Sequence, residues 1–170
     1  MSLSMFESSI PRLLRNLNNL AGILGKAAAY AEERGIDDAV LVTARLFPDM
    51  LPLSAQVQVA CDVSKGCGGR LSGTEAPSFE DNEATFDELQ ARIAKTIAFL
   101  ESLTAGQIDG TEDKEITLQA GPTEFRFSGK DYLQLFVFPN VFFHTTTAYN
   151  ILRHNGVEIG KMDFLGTPPQ

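Results

Sequence analysis

Only two cysteines and two histidines occur in the 170 residues, and Lys and Arg, 14 against 22 Asp and Glu, nowhere cluster. Each scarcity excludes something. A chain of net charge −8 without a basic patch has no surface for neutralising phosphates, so nucleic acid and anionic membrane are poor partners. Residues 1–10 lack a basic start followed by an apolar stretch, so no export signal is visible and a cytoplasmic protein is expected. The most apolar segment, Asp131 to Asn155, is interrupted by Gln134, Asn140, His144 and Thr145 to Thr147 before it reaches a membrane-spanning length. Cys61 and Cys67, six residues apart on one helix, would differ by about 9 Å in height, so they should remain reduced thiols.

What is present is helical periodicity on a chain long enough for one domain, residues 1–170. Phe6, Ile10, Leu13, Leu14, Leu17, Ala21 and Leu24 recur at three and four and predict a first helix from Ser4 toward Arg34, bent or delayed by Pro11 and closed by Gly35. A second should start near Pro48-Asp49, turn Asp49, Leu53, Gln56 and Ala60 inward, and dissolve in Lys65 to Gly69. Arg70 to Asn82 then reads as loop. Thr85 and Glu88 form a capping box for a third helix, whose apolar face is Phe86, Leu89, Ile93, Ile97 and Leu100.

Alternation of Ile116 and Leu118 with polar residues, a turn at Gly121-Pro122, and Phe125 and Phe127 predict a small β-hairpin. The fourth helix runs from Ser128-Gly129-Lys130-Asp131 to Asn155-Gly156, about 40 Å at about 1.5 Å per residue. Its first half has almost no polar face. A helix apolar all round must be covered all round, so a homodimer is expected.

The chemistry should sit on that helix. Asn140 and His144, about 40° and about 6 Å apart, can converge on one point, whereas His154 lies about 15 Å further on. The plainer reading of His144 is a buried histidine bonded to a backbone carbonyl or to Thr147. Lys65 to Arg70 has the glycines of an anion cradle but follows a helix and lacks the Gly-Lys-Ser/Thr ending. Cys67 between glycines is either an exposed thiol or an inert one. Arg45 and Arg153 could take a substrate carboxylate, or pair with Asp49, Asp163 or a helix-end carbonyl.

The run from His144 through Tyr149 and Arg153 to Gly156 resembles the last helix of the DinB/YfiT-like superfamily. Ala44-Arg45-Leu46-x-Pro48-Asp49-Met50, Pro139-Asn140-x-x-Phe143-His144, Ala148-Tyr149-Asn-Ile-Leu-Arg153 and Gly160-Lys161-x-Asp163-Phe-Leu-Gly166 resemble an uncharacterised bacterial family within it, over nearly the whole chain. The resemblance implies an all-α fold, a DinB-like four-helix bundle with the hairpin between helices three and four, commonly dimeric. Metal-binding members carry one histidine early on the second helix and an H-x-x-x-H pair on the last. Here these positions fall near Asp49, on Asn140 and on His144, so only one histidine survives. Asp49, Asn140 and His144 could hold a divalent ion weakly, since an amide oxygen is a feeble ligand for zinc or nickel. The same residues with Gln56 equally form a metal-free polar pocket for a small molecule. Three functions follow: a small-molecule-binding bundle with a degenerate metal site, a metal- and thiol-dependent transferase, or a structural homodimer without catalysis.

Overall fold

The computed structural model describes residues 3–120 and 122–167. Helix α1 (Met5–Arg34) starts at a reciprocal capping box between Ser4 and Glu7 and stops at Gly35, whose φ of 63° suits glycine. Pro11 neither delays nor ends it and lies on the exposed face, where a missing amide leaves a carbonyl to solvent. Asp37 caps a short helix, α2 (Asp38–Val42), where only a turn was expected; the Asp38 carboxylate in turn accepts the Phe86 amide at 3.1 Å.

The second long helix, α3 (Leu53–Ser72), departs from expectation at both ends. Pro48 and Asp49 belong to an exposed turn, and Pro52 takes the cap position, because Leu53 donates to the Ala44 carbonyl at 2.9 Å and so closes the turn first. At the other end the helix runs through the glycines and ends at Gly73, φ 78°. Those glycines are packing residues: a Cβ on Gly68 would lie 2.7 Å from Leu103 and 2.9 Å from Leu100.

Helix α4 (Phe86–Glu101) has the Thr85–Glu88 capping box as expected, and α5 (Ala105–Ile108) is one turn. Strands β1 (Glu115–Ala120) and β2 (Thr123–Ser128) form an antiparallel hairpin with Ile116 opposite Phe127 and Leu118 opposite Phe125, the pairing read from the alternation. Gly121, assigned to its turn, lies outside the described residues.

The last long helix has three parts: a turn α6 (Gly129–Asp131), a π-helical segment Tyr132–Val137, and α7 (Phe138–His154). Pro139 has no amide to donate, and the Phe138 amide reaches five residues back to the Leu133 carbonyl, which widens the turn. Asn155-Gly156 ends the helix as expected, with Gly156 at φ 94° and no room for a Cβ beside the Tyr30 hydroxyl. A last turn, α8 (Lys161–Leu165), is strapped onto α1. Arg15 donates to the Leu165 and Thr167 carbonyls, Asn19 to the Phe164 carbonyl, and Lys26 pairs with Asp163 at 2.6 Å.

Helix α1 packs on α4 and α7, and α3 packs on the same two, around one core containing Leu17, Leu24, Val57, Ala60, Leu89, Ile93, Val141 and Ile151. The protein is thus mostly helical with one small hairpin. No helix among the described residues is long and apolar enough to cross a membrane. Coverage of the last helix by the rest of the chain is incomplete: Leu135 and Phe143 are 67% and 57% exposed, and Phe142 is exposed beside them.

Candidate functional site

Gln56 sits in the first turns of α3, fully buried, and its amide is fixed at both ends. Its Nε2 donates to the Leu51 carbonyl at 3.0 Å, which aims Oε1 at the His144 ring, 2.7 Å from Nδ1. An amide oxygen can only accept, so Nδ1 carries the proton and Nε2 is left with its lone pair. Burial holds the imidazole below its ordinary pKa, which favours the same neutral form. The ring is half-buried, with the Phe143 ring edge-on 5.2 Å away. Among the described residues Nε2 has no hydrogen-bond partner.

The turn that presents the Leu51 carbonyl is itself tied down. Arg45 donates to the Met50 carbonyl, and the Met50 amide to the Phe47 carbonyl at 2.9 Å. Arg45 therefore serves a backbone carbonyl. Arg153 is exposed, and Asp163, one partner suggested for it, is taken by Lys26.

Of the residues picked out in the sequence, His144 and Gln56 come together. Asn140, one turn before His144, spends its Nδ2 on the Phe136 carbonyl at 2.7 Å, satisfying a carbonyl beside the widened π turn. Asp49 stands exposed on the turn ahead of α3, and no hydrogen bond or ion pair among the described residues joins it to His144. Gln56 takes the place expected of Asp49 beside His144; its signal in the sequence was an amide on the inward stripe with Leu53 and Ala60. Thr147 bonds the Phe143 carbonyl at 2.7 Å and leaves the ring alone. Cys61 and Cys67 are buried thiols pushed up to about 12 by burial, so neither supplies a thiolate near neutral pH.

The donor set does not suit a transition-metal ion. One imidazole nitrogen is free, Gln56 Oε1 is occupied by that same imidazole, and Asn140 offers an amide oxygen. No group of three His, Cys, Asp or Glu among the described residues could hold a metal. What the site offers is one neutral, half-buried hydrogen-bond acceptor that can also take a proton.

A second polar cluster gave no signal in the sequence. Arg92 on α4, its side chain 1% exposed, meets Asp62 at 2.8 Å, Asp81 at 2.9 Å and Glu83 at 2.9 Å, donates to the Glu80 carbonyl, and lies over the Phe79 ring. Burial raises the Glu83 carboxyl, but the hydrogen bonds from Arg92 and Gln58 outweigh it and hold the group below the usual carboxylate range. These partners come from α3 and from the connection ahead of α4, so the guanidinium pins that connection across the helices.

By its likeness to a solved structure this mostly helical chain is DinB-like. A crystal structure of a DinB family member from Shewanella denitrificans is 36% identical and superposes with a TM-score of 0.87, over 97% of this chain and 93% of that one. Residues 5–165 match the family described as Domain of unknown function (DUF1993), and the chain belongs to that family. No curated protein matches it.

Proposed function

We propose that the protein is a DinB-type four-helix bundle in a single domain, and that it binds a small molecule at His144 through the free Nε2 of a neutral imidazole. One observation carries the reading: Gln56, fixed by the Leu51 carbonyl, determines which ring nitrogen is protonated. A site that only filled the core would not need an amide held at both ends to orient a half-buried ring. The ligand class that complements such an acceptor is a hydrogen-bond donor of low charge, an alcohol, amine or thiol. In the superfamily pattern three histidines would surround a metal. Here Gln56 meets the surviving histidine from the second long helix, Asn140 stands one turn before it, and we infer that the metal site is degenerate.

A thermal-shift screen of alcohols, amines and thiols tests this. A ligand at 100 times its dissociation constant adds about 2.7 kcal/mol, and His144→Ala should abolish the gain. A screen without hits, or hits that survive the substitution, would contradict it. Stoichiometric zinc or nickel in protein purified without chelator would favour the metal- and thiol-dependent transferase instead. The exposure of Leu135, Phe142 and Phe143, with Phe47 and Leu51 ahead of α3, favours a further reading in which a second copy covers these surfaces as a homodimer.

A further inference from the structure

Arg12, Arg15, Asn16 and Asn19 recur at spacings of three, one and three along α1 and share one face of it. With Phe142 from α7 and Phe164 and Leu165 from α8 they line an open hollow of about 220 Å³. Beside it Asn16, Asn19 and Phe164 close against Leu20, Ile23 and Thr145 and leave no room for a water-sized group. This is separate from His144, which faces α3.

Three features of the hollow are unspent. Asn16 is 8% exposed and its Oδ1 is buried without a hydrogen-bond partner. Its Nδ2 makes no hydrogen bond among the described residues and keeps the little surface the side chain has. A leucine there would fill the same space without stranding an amide, so the polar group is costly unless something meets it. Arg15 uses Nε and Nη2 on the Leu165 and Thr167 carbonyls, which fixes the guanidinium, and its Nη1 makes no hydrogen bond among the described residues. Arg12, one turn earlier, has no ion pair or hydrogen bond among the described residues. Between the cationic rim and the amide, the walls are phenyl rings and a leucine.

The complement of that arrangement has a carboxylate at one end, a flat apolar body, and a hydroxyl at the other. At roughly 20 to 30 Å³ for each heavy atom in condensed matter, the volume takes about seven to eleven of them. We propose that the hollow binds a small aromatic hydroxy acid, its carboxylate on Arg12 and the Nη1 edge of Arg15, its ring against Phe142, Phe164 and Leu165, and its hydroxyl accepting from the Asn16 Nδ2. The walls are held in place beforehand, because the same Arg15 and Asn19 strap α8 to α1.

Titration calorimetry with 4-hydroxybenzoate and with benzoate tests the assignment on the intact chain. The hydroxy acid should bind saturably, and benzoate about tenfold more weakly, because the amide stays unpaired. Arg12→Ala should weaken both acids to a similar degree. Asn16→Leu should erase the preference for the hydroxyl while raising the melting temperature of the free protein, which separates loss of the site from loss of the fold. His144→Ala should leave binding unchanged. No saturable binding at millimolar concentration, binding indifferent to both Arg12→Ala and Asn16→Leu, or binding lost with His144→Ala would each overturn the proposal. Failure here leaves the alcohol, amine and thiol screen at His144 to be judged on its own result.

Discussion

At Gln56 a single amide serves two elements, accepting from an imidazole on α7 and donating to the turn ahead of α3. Gln56→Leu keeps the volume but strands the Leu51 carbonyl and frees the ring, and should cost about 1 to 2 kcal/mol in urea denaturation. The histidine also gives a pH signature with a definite sign. Its folded pKa is depressed by burial, so the unfolded chain binds the proton more readily. Its contribution to stability is complete above the unfolded value near 6.5, falls as the pH drops from there toward the folded value, and is flat below that. His144→Ala should remove that part of the slope as the pH falls below about 6.5. Arg92 belongs to the same scale. Arg92→Ala leaves Glu83 without its main partner and frees the connection before α4, so a loss of about 3 kcal/mol is expected in the same assay.

Among the elements, the glycines divide into those a sequence explains and those only packing explains. Gly35 and Gly156 were legible as helix stops because a positive φ at a C-terminus is a local demand. Gly129 is different: a Cβ there would lie 2.0 Å from the Thr111 carbonyl oxygen. Gly129→Ala must push the connection at Thr111, ahead of β1, off the start of the last helix, and a drop of about 2 kcal/mol or more by thermal denaturation is expected. Periodicity, a cap and alternation made α1, α4 and the hairpin readable, since the apolar recurrence from Phe6 to Leu24, the Thr85 signal and the β-strand pattern act within a few residues. The ends of α3 were not, because Gly66, Gly68 and Gly69 look like a breaker until Leu100 and Leu103 are seen against Gly68, and Thr74 and Ala76 against Gly69. The π turn and α8 were hidden for the same reason, one resting on a missing proline amide and the other on hydrogen bonds from Arg15, Asn19 and Lys26 more than a hundred residues away. The site was half legible: periodicity put Asn140 and His144 on one face, but Gln56 was indistinguishable from Asp49 as the partner without knowing where α3 begins.

For the whole molecule, the uneven coverage of the last helix has a measurable consequence. Leu135, Phe142 and Phe143 are too large and too close together on one helix to stand in water without a preference for company. The account expects light scattering to give twice the mass of the 18.5 kDa chain at micromolar concentration. It expects Phe143→Asp to shift that toward the monomer without unfolding it, because the ring is already exposed. A wild-type monomer at that concentration would leave the surface without a partner of its own kind. The match to the DinB family structure over nearly the full length places the His144 pair within an architecture shared by the two chains, while the Gln56 hydrogen bond is described in this one.

The most direct test of the central claim is the nitrogen spectrum of the His144 ring in 15N-labelled protein, assigned by its loss in His144→Ala. A neutral ring at pH ~7 with a protonated Nδ1 and a bare Nε2 is expected. A proton on Nε2 with Nδ1 bare, or an imidazolium carrying both, would contradict it.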